Sequence, residues 1–264
     1  MIHPTAVVSP KARLGKGVEV GPHAVVGDDV VLGDGCVLMA HAVVLGPSTL
    51  GRENRIFPGA VLGAEPQDLK YKGGKTTLEV GDRNLFRESV TVNRGTEKGG
   101  GVTRIGSDNL LMACSHVAHD CRLGDGIVIA NGVLLAGHVH VDSHVHLMGL
   151  AAIHQFSTVG RYAFVAGYTP VAQDVPPFMI VQGIPPRVRG VNEIGLGRHG
   201  FSPERIQAVK DACKKLYRSG ALRGEALQAL ELAGDANPDL KLLVEALKAS
   251  DQGKHGRALE ATRA

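Results

Sequence analysis

The chain has 264 residues, 44% of them hydrophobic, which excludes a disordered protein and leaves room for one large core with an appendage. Aromatic residues make up 4%, Trp is absent and glycine numbers 35, so the core must be built from small aliphatic side chains on a tightly wound backbone. The formal net charge of +3 is spread along the chain with no Lys/Arg-rich run, which argues against nucleic acid as a partner.

Residues 1–15 carry neither the basic n-region nor the apolar h-region of a signal peptide, which predicts a cytoplasmic protein. A period of six begins at once: Ile2, Val8, Leu14, Val20, Val26, Leu32, Leu38, Val44, Leu50, Ile56 and Leu62 are all aliphatic. Self-similarity at a fixed short period marks a solenoid. Glycine often follows the aliphatic residue, as at Gly15, Gly33 and Gly51, where a corner needing unusual backbone angles is expected. A small residue such as Ala24 or Ala42 often stands two places before it. Each hexad thus reads as a short strand and a turn, aliphatic side chain inward and polar ones outward.

Residues 65–79 break the frame with a polar, glycine-containing run that predicts a loop thrown out from the solenoid. The frame resumes in phase at Val80, Phe86 and Val92, and residues 94–101 (RGTEKGGG) predict a second loop. It then shifts by one and runs through Ile105, Leu111, Val117, Leu123, Ile129, Leu135, Val141, Leu147, Ile153, Val159, Val165 and Val171. Residues 143–160 lack Asp, Glu, Lys and Arg, but the same period and three histidines there predict no membrane span.

The hexads stop near residue 187, giving an expected division into a repeat domain over 1–187 and a helical domain over 188–264. Ser202 and Pro203 read as a helix N-cap and first turn, with Ile206, Val209, Ala212, Cys213, Leu216 and Tyr217 on one face. Further helices are predicted near 222–233 and 238–249, and the last fifteen residues are expected to fray. Cys36, Cys114, Cys121 and Cys213 form no CxxC pair and are expected to be buried, reduced thiols.

A hexad of Ile, Leu or Val, then Gly, then four variable residues resembles the hexapeptide-repeat transferase superfamily. That resemblance implies an all-β solenoid, a left-handed parallel β-helix of three hexads per coil with a C-terminal α-helical domain, against the usual right-handed crossover. Stepping by eighteen from His119 reaches 137 and 155, so His138 and His154 fall within one residue of its column and three imidazoles should share one edge. Asp120 follows His119 directly, and an imidazole with a neighbouring carboxylate suits a general base near neutral pH. Neighbours on a strand point to opposite faces, so side-chain contact between the two is not required. His23 and His41, also one coil apart, are expected to be exposed turn residues. His140, His144 and His146 alternate and are expected on one outward face without a role.

The ordered runs PQDLKY (66–71), GDRNLFRESVTVNRGT (81–96), GSDNLLM, SHVAHDC, LAGHV, AIHQF and VAQDVPP together resemble the bacterial UDP-N-acetylglucosamine O-acyltransferase family, which starts lipid A synthesis. The resemblance implies a homotrimer with sites between neighbouring prisms, no metal or other cofactor, and two substrates: a 3-hydroxyacyl thioester on acyl carrier protein, and UDP-N-acetylglucosamine. It makes His119 the base, Asp120 its support and the Gly137 N–H the oxyanion donor. It assigns Asp68, Lys70, His116, His138, His154, Gln155, Asn192 and Arg198 to substrate binding, with the usual basic pair of the cap reading Arg198-His199 here. Gly167 stands at the position that resembles the family's acyl-length stop, which predicts a chain of roughly twelve carbons or more.

A γ-type carbonic anhydrase also places histidines on such a helix, there around zinc, and metal analysis separates the two readings. The N-acyltransferase of the same pathway carries a nucleotide-binding domain before its repeats, whereas hexads here begin at Ile2. A purely structural β-helix would leave PQDLKY and SHVAHDC without purpose.

Overall fold

The computed structural model describes residues 1–234 and 237–262. Strands of two to five residues, nearly all of them from the hexads, form three sheets of nine, eight and ten strands, the first beginning at Val7–Val8, the second at Arg13–Leu14, the third at Glu19–Val20. Consecutive strands fall in different sheets, and each pairs in parallel with the strand one coil on, as Val7 with Val25 and Val25 with Val43. The result is the expected left-handed parallel β-helix. Hexad positions from Val20 to Val171 are all buried, as are the residues two places before them, such as Ala24, Cys36 and Ala42. In the first coil Ile2 remains 51% exposed.

Polar residues at the second inward position stack as well. The Asn84 amide donates to Asn54 Oδ1 at 2.9 Å, the Asn109 backbone N–H to Asn84 Oδ1 at 3.0 Å, and the Ile127 N–H to Asn109 Oδ1 at 2.7 Å. A ladder one coil per rung satisfies amides that would be costly to bury alone.

The corners correct the reading of the glycines. Left-handed backbone is taken mainly by other residues, among them His23, His41, Asp120, His138, His144, Phe156 and Tyr162, with φ between 56° and 62°. The glycines after the aliphatic positions answer instead to coil stacking: a Cβ at Gly33 would lie 2.5 Å from the Gly51 carbonyl oxygen. Cys114 sits at one such corner and is exposed, against expectation, while Cys36, Cys121 and Cys213 are buried. His23 and His41 are exposed and ring-stacked at 5.2 Å. His140, His144 and His146 do not share a face: His140 lies on the second sheet, His146 on the third, and His144 on the corner between them.

Both frame breaks leave the first sheet and rejoin the second, at the same edge. The first excursion ends earlier than expected, because Thr77–Val80 is already a strand paired with Ser48–Leu50.

The last parallel strand is Met179–Gln182, and Arg187–Val191 runs antiparallel to it. Four helices follow: α1 (Glu193–Arg198), α2 (Pro203–Tyr217), α3 (Arg223–Gly234) and α4 (Pro238–Gln252). Ser202 caps α2 as expected, whereas the short α1 had no signature beyond its cap, Asn192. A second apolar core gathers Phe178, Met179, Leu196, Val209, Leu243 and Leu247. The tail does not fray through residue 262. Arg257 donates to the Ala172 carbonyl at 2.6 Å and pairs with Glu260, and the Ala258 N–H donates to Asp174 at 2.8 Å. Among the described residues no helix is long and apolar enough to cross a membrane.

Candidate active site

His119 and Asp120 lie on the corner between the strands His116–Val117 and Arg122–Leu123, the same edge from which both excursions leave. Asp120 adopts φ 60°, so strand alternation does not apply, and its Oδ2 sits 2.8 Å from His119 Nδ1. The contact that strand alternation did not require is therefore made. A carboxylate only accepts, so Nδ1 carries the proton and Nε2 presents its lone pair. The carboxylate is fully buried and takes two donors from the second excursion: the Thr96 N–H on Oδ1 at 2.9 Å and the Thr96 hydroxyl on Oδ2 at 2.6 Å. Burial alone would raise the Asp120 pKa, but the bonds from His119 and Thr96 hold it below the usual carboxylate range.

One coil on, Gly137 lies directly against the imidazole: a Cβ there would come within 2.6 Å of the His119 ring. Among the described residues the Gly137 N–H meets no acceptor. His138 meets His119 edge to face at 5.2 Å, stacks on Phe156 at 4.4 Å and brings Nε2 to 3.7 Å from Asp120. His119, Asp120 and His138 thus offer donors within 4.8 Å of one another, but Asp120 Oδ2 is already engaged by Thr96 and His119.

His119 and His138 line a cleft of about 570 Å³, with Asp120 buried behind them. Its walls bring Asp68 and Lys70 of the first excursion over His119, His138 and Gln155, as expected. Five further side chains there, Gln67, Leu69, Thr96, Lys98 and Phe156, had not been singled out as site residues. Only Phe156 was within reach of the coil arithmetic, since it follows His138 by eighteen; Thr96 lies in an excursion, where the period is lost.

The other candidates fall elsewhere. His154 shares the edge but not the column: it occupies the register of Ala136 and is exposed, its Nδ1 2.9 Å from the Gln155 carbonyl. His116 points out from the first sheet and bonds Thr91 Oγ1 at 2.7 Å. Burial lowers its pKa, and His119 adds to that. Asn192 and Arg198 sit on a different edge, between the second and third sheets. Asn192 is engaged structurally there, capping α1 through the Gly195 N–H and donating to the Tyr162 carbonyl at 2.9 Å. Gly167 is exposed at the edge between the third and first sheets.

Comparison with known proteins bears on the whole chain. Residues 174–255 match the family model of UDP-N-acetylglucosamine O-acyltransferase domain 2, and residues 103–137 match the bacterial transferase hexapeptide model. A curated acyl-(acyl-carrier-protein)–UDP-N-acetylglucosamine O-acyltransferase of Anaeromyxobacter sp. is 52% identical over 252 residues, covering 96% of this chain and 98% of the relative. The structure of a UDP-N-acetylglucosamine acyltransferase from Bacteroides fragilis superposes with a TM-score of 0.91 at 41% identity, covering 94% of this chain and 97% of that one. The Arabidopsis enzyme of the same description gives 0.83 at 34% identity, covering 96% and 98%. Identity of this order across coils, cleft and helical end means that the chain is an acyltransferase belonging to the acyl-(acyl-carrier-protein)–UDP-N-acetylglucosamine O-acyltransferase family.

Proposed function

We propose that the chain, in the cytoplasm, transfers a 3-hydroxyacyl group from acyl carrier protein to the 3-hydroxyl of UDP-N-acetylglucosamine, the opening step of lipid A synthesis. The observation that carries this reading is the buried Asp120 carboxylate 2.8 Å from Nδ1 of His119, which lines a cleft together with Asp68 and Lys70. With Nδ1 protonated, His119 Nε2 accepts the proton of the sugar hydroxyl as its oxygen attacks the thioester carbonyl. The carbonyl oxygen gains charge, and the Gly137 N–H, which meets no acceptor among the described residues, donates to it. Collapse of the tetrahedral intermediate expels the carrier's thiolate, which takes the proton back from His119.

Lys70 supplies a cation for the diphosphate or carrier end, and Gln155 and His138 supply hydrogen-bonding groups beside the sugar. Asn192 and Arg198 complete the site from a neighbouring subunit of a homotrimer, which accounts for their lying on a different edge of one chain. The acyl chain follows the outward face of the first sheet, where His116, Leu134 and Ala152 lead from the His119 edge toward Gly167; Leu134 is 52% exposed.

The deciding experiment measures acyl transfer from 3-hydroxyacyl carrier protein to UDP-N-acetylglucosamine with wild type and His119→Ala. General-base catalysis supplies about 10²–10⁴ in rate, so the variant is expected to fall by at least about a hundredfold. An unchanged rate would overturn the mechanism.

A further inference from the structure

The second excursion touches two different parts of the cleft through adjacent residues. Thr96, buried at 4% exposure, donates its N–H and its hydroxyl to the two oxygens of Asp120. The Asp120 N–H is in turn held by Thr103 Oγ1 at 2.8 Å, so the backbone that carries the carboxylate is held as well. Glu97 reaches the opposite way and accepts the Gly74 N–H on Oε1 at 2.6 Å. Gly74 has no room for a side chain there, since a Cβ would overlap the Glu97 carboxylate. From Gly74 the chain of contacts runs to the substrate residues: Tyr71 Oη donates to the Gly74 carbonyl at 3.0 Å, and the Tyr71 N–H donates to the Asp68 carbonyl at 3.0 Å.

We propose that Thr96 and Glu97 are positioning residues with separate duties, Thr96 fixing the His119–Asp120 pair and Glu97 fixing the loop that carries Asp68 and Lys70. The inference rests on the transferase reading above and adds two residues to it. A hydroxyl that orients the base's partner acts on the chemical step, whereas a strap on a binding loop acts on substrate capture, so the two should part in steady-state kinetics.

The test uses the full chain with UDP-N-acetylglucosamine and 3-hydroxyacyl carrier protein. Thr96→Val should lower kcat about tenfold, the worth of one charge-assisted hydrogen bond, with KM held within about twofold. Thr96→Ser should restore the rate. Glu97→Ala should raise the KM for the sugar nucleotide about fivefold with kcat nearly unchanged, and Glu97→Gln, which keeps an accepting oxygen, should restore it. In nitrogen-15 histidine spectra the His119 Nδ1–H resonance should move in Thr96→Val and stay in Glu97→Ala. Amide exchange at Gly74 should quicken only in Glu97→Ala.

Identical kinetic patterns in Thr96→Val and Glu97→Ala, or wild-type values in both, would overturn the proposal while leaving the transferase reading intact. A wild-type chain without transferase activity would sink that reading instead, and the spectra and the exchange rates would still decide whether the two residues hold what they touch. Should Thr96→Val fail to fold, Thr96→Ser with an unmoved His119 resonance and full activity supports the assignment, and Thr96→Ser with the loss expected of Val refutes it.

Discussion

At the residue scale the site depends on how little space surrounds His119. Gly137 packs against the ring so closely that Gly137→Ala must displace the imidazole, since a Cβ at 2.6 Å lies well inside any real contact. The expected outcome is a fall in kcat of more than about tenfold, with a circular dichroism spectrum like that of wild type. His119 was legible in the sequence because coil arithmetic and a following carboxylate both pointed to it. The contact with Asp120 was not, because strand alternation fails at a corner residue with φ 60°, a backbone state that sequence spacing does not reveal. Thr96 was illegible for a different reason, lying in a segment where the six-residue period gives no register.

Among the elements, the strands were the most legible and the corners the least. Every hexad position from Val20 onward faces inward as read, because burial on a period of six leaves no second solution. Which residues take the left-handed turns follows from coil stacking, which local sequence does not encode. The outward strand positions carry an electrostatic consequence. His140 on the second sheet has its pKa pushed down to about 4, first by burial and then by Arg122, its neighbour one coil below. An unfolded histidine titrates near 6.5, so between these values the unfolded chain binds the proton that the folded chain refuses. Stability contributed by neutral His140 is present above about pH 6.5 and is lost as pH falls toward about 4. Thermal melting across that window should show a declining midpoint, and His140→Gln should flatten part of the decline.

For the molecule as a whole, the candidate residues are spread around one prism, with His119, Asp68 and Lys70 on one edge, Asn192 and Arg198 on a second and Gly167 on the third. If neighbouring chains complete each site, mixing His119→Ala with Arg198→Ala after co-refolding should regain activity that neither variant has alone. Recovery no greater than the sum of the two would count against a shared site. The proposed acyl path is tested at the same scale: Gly167 lies across the first sheet from His119, and on that proposal Gly167→Met should shift preference toward shorter thioesters in a competition assay. Finally, the chain takes eighteen residues from Leu62 to Val80 and thirteen from Val92 to Ile105, where an uninterrupted corner takes six. Because each detour departs and re-enters at one corner, its length leaves the parallel strand pairing of the coils on either side in place. A detour can therefore be exchanged, as a tool is changed on a fixed shaft, provided the new one keeps the grips that Thr96 and Glu97 supply.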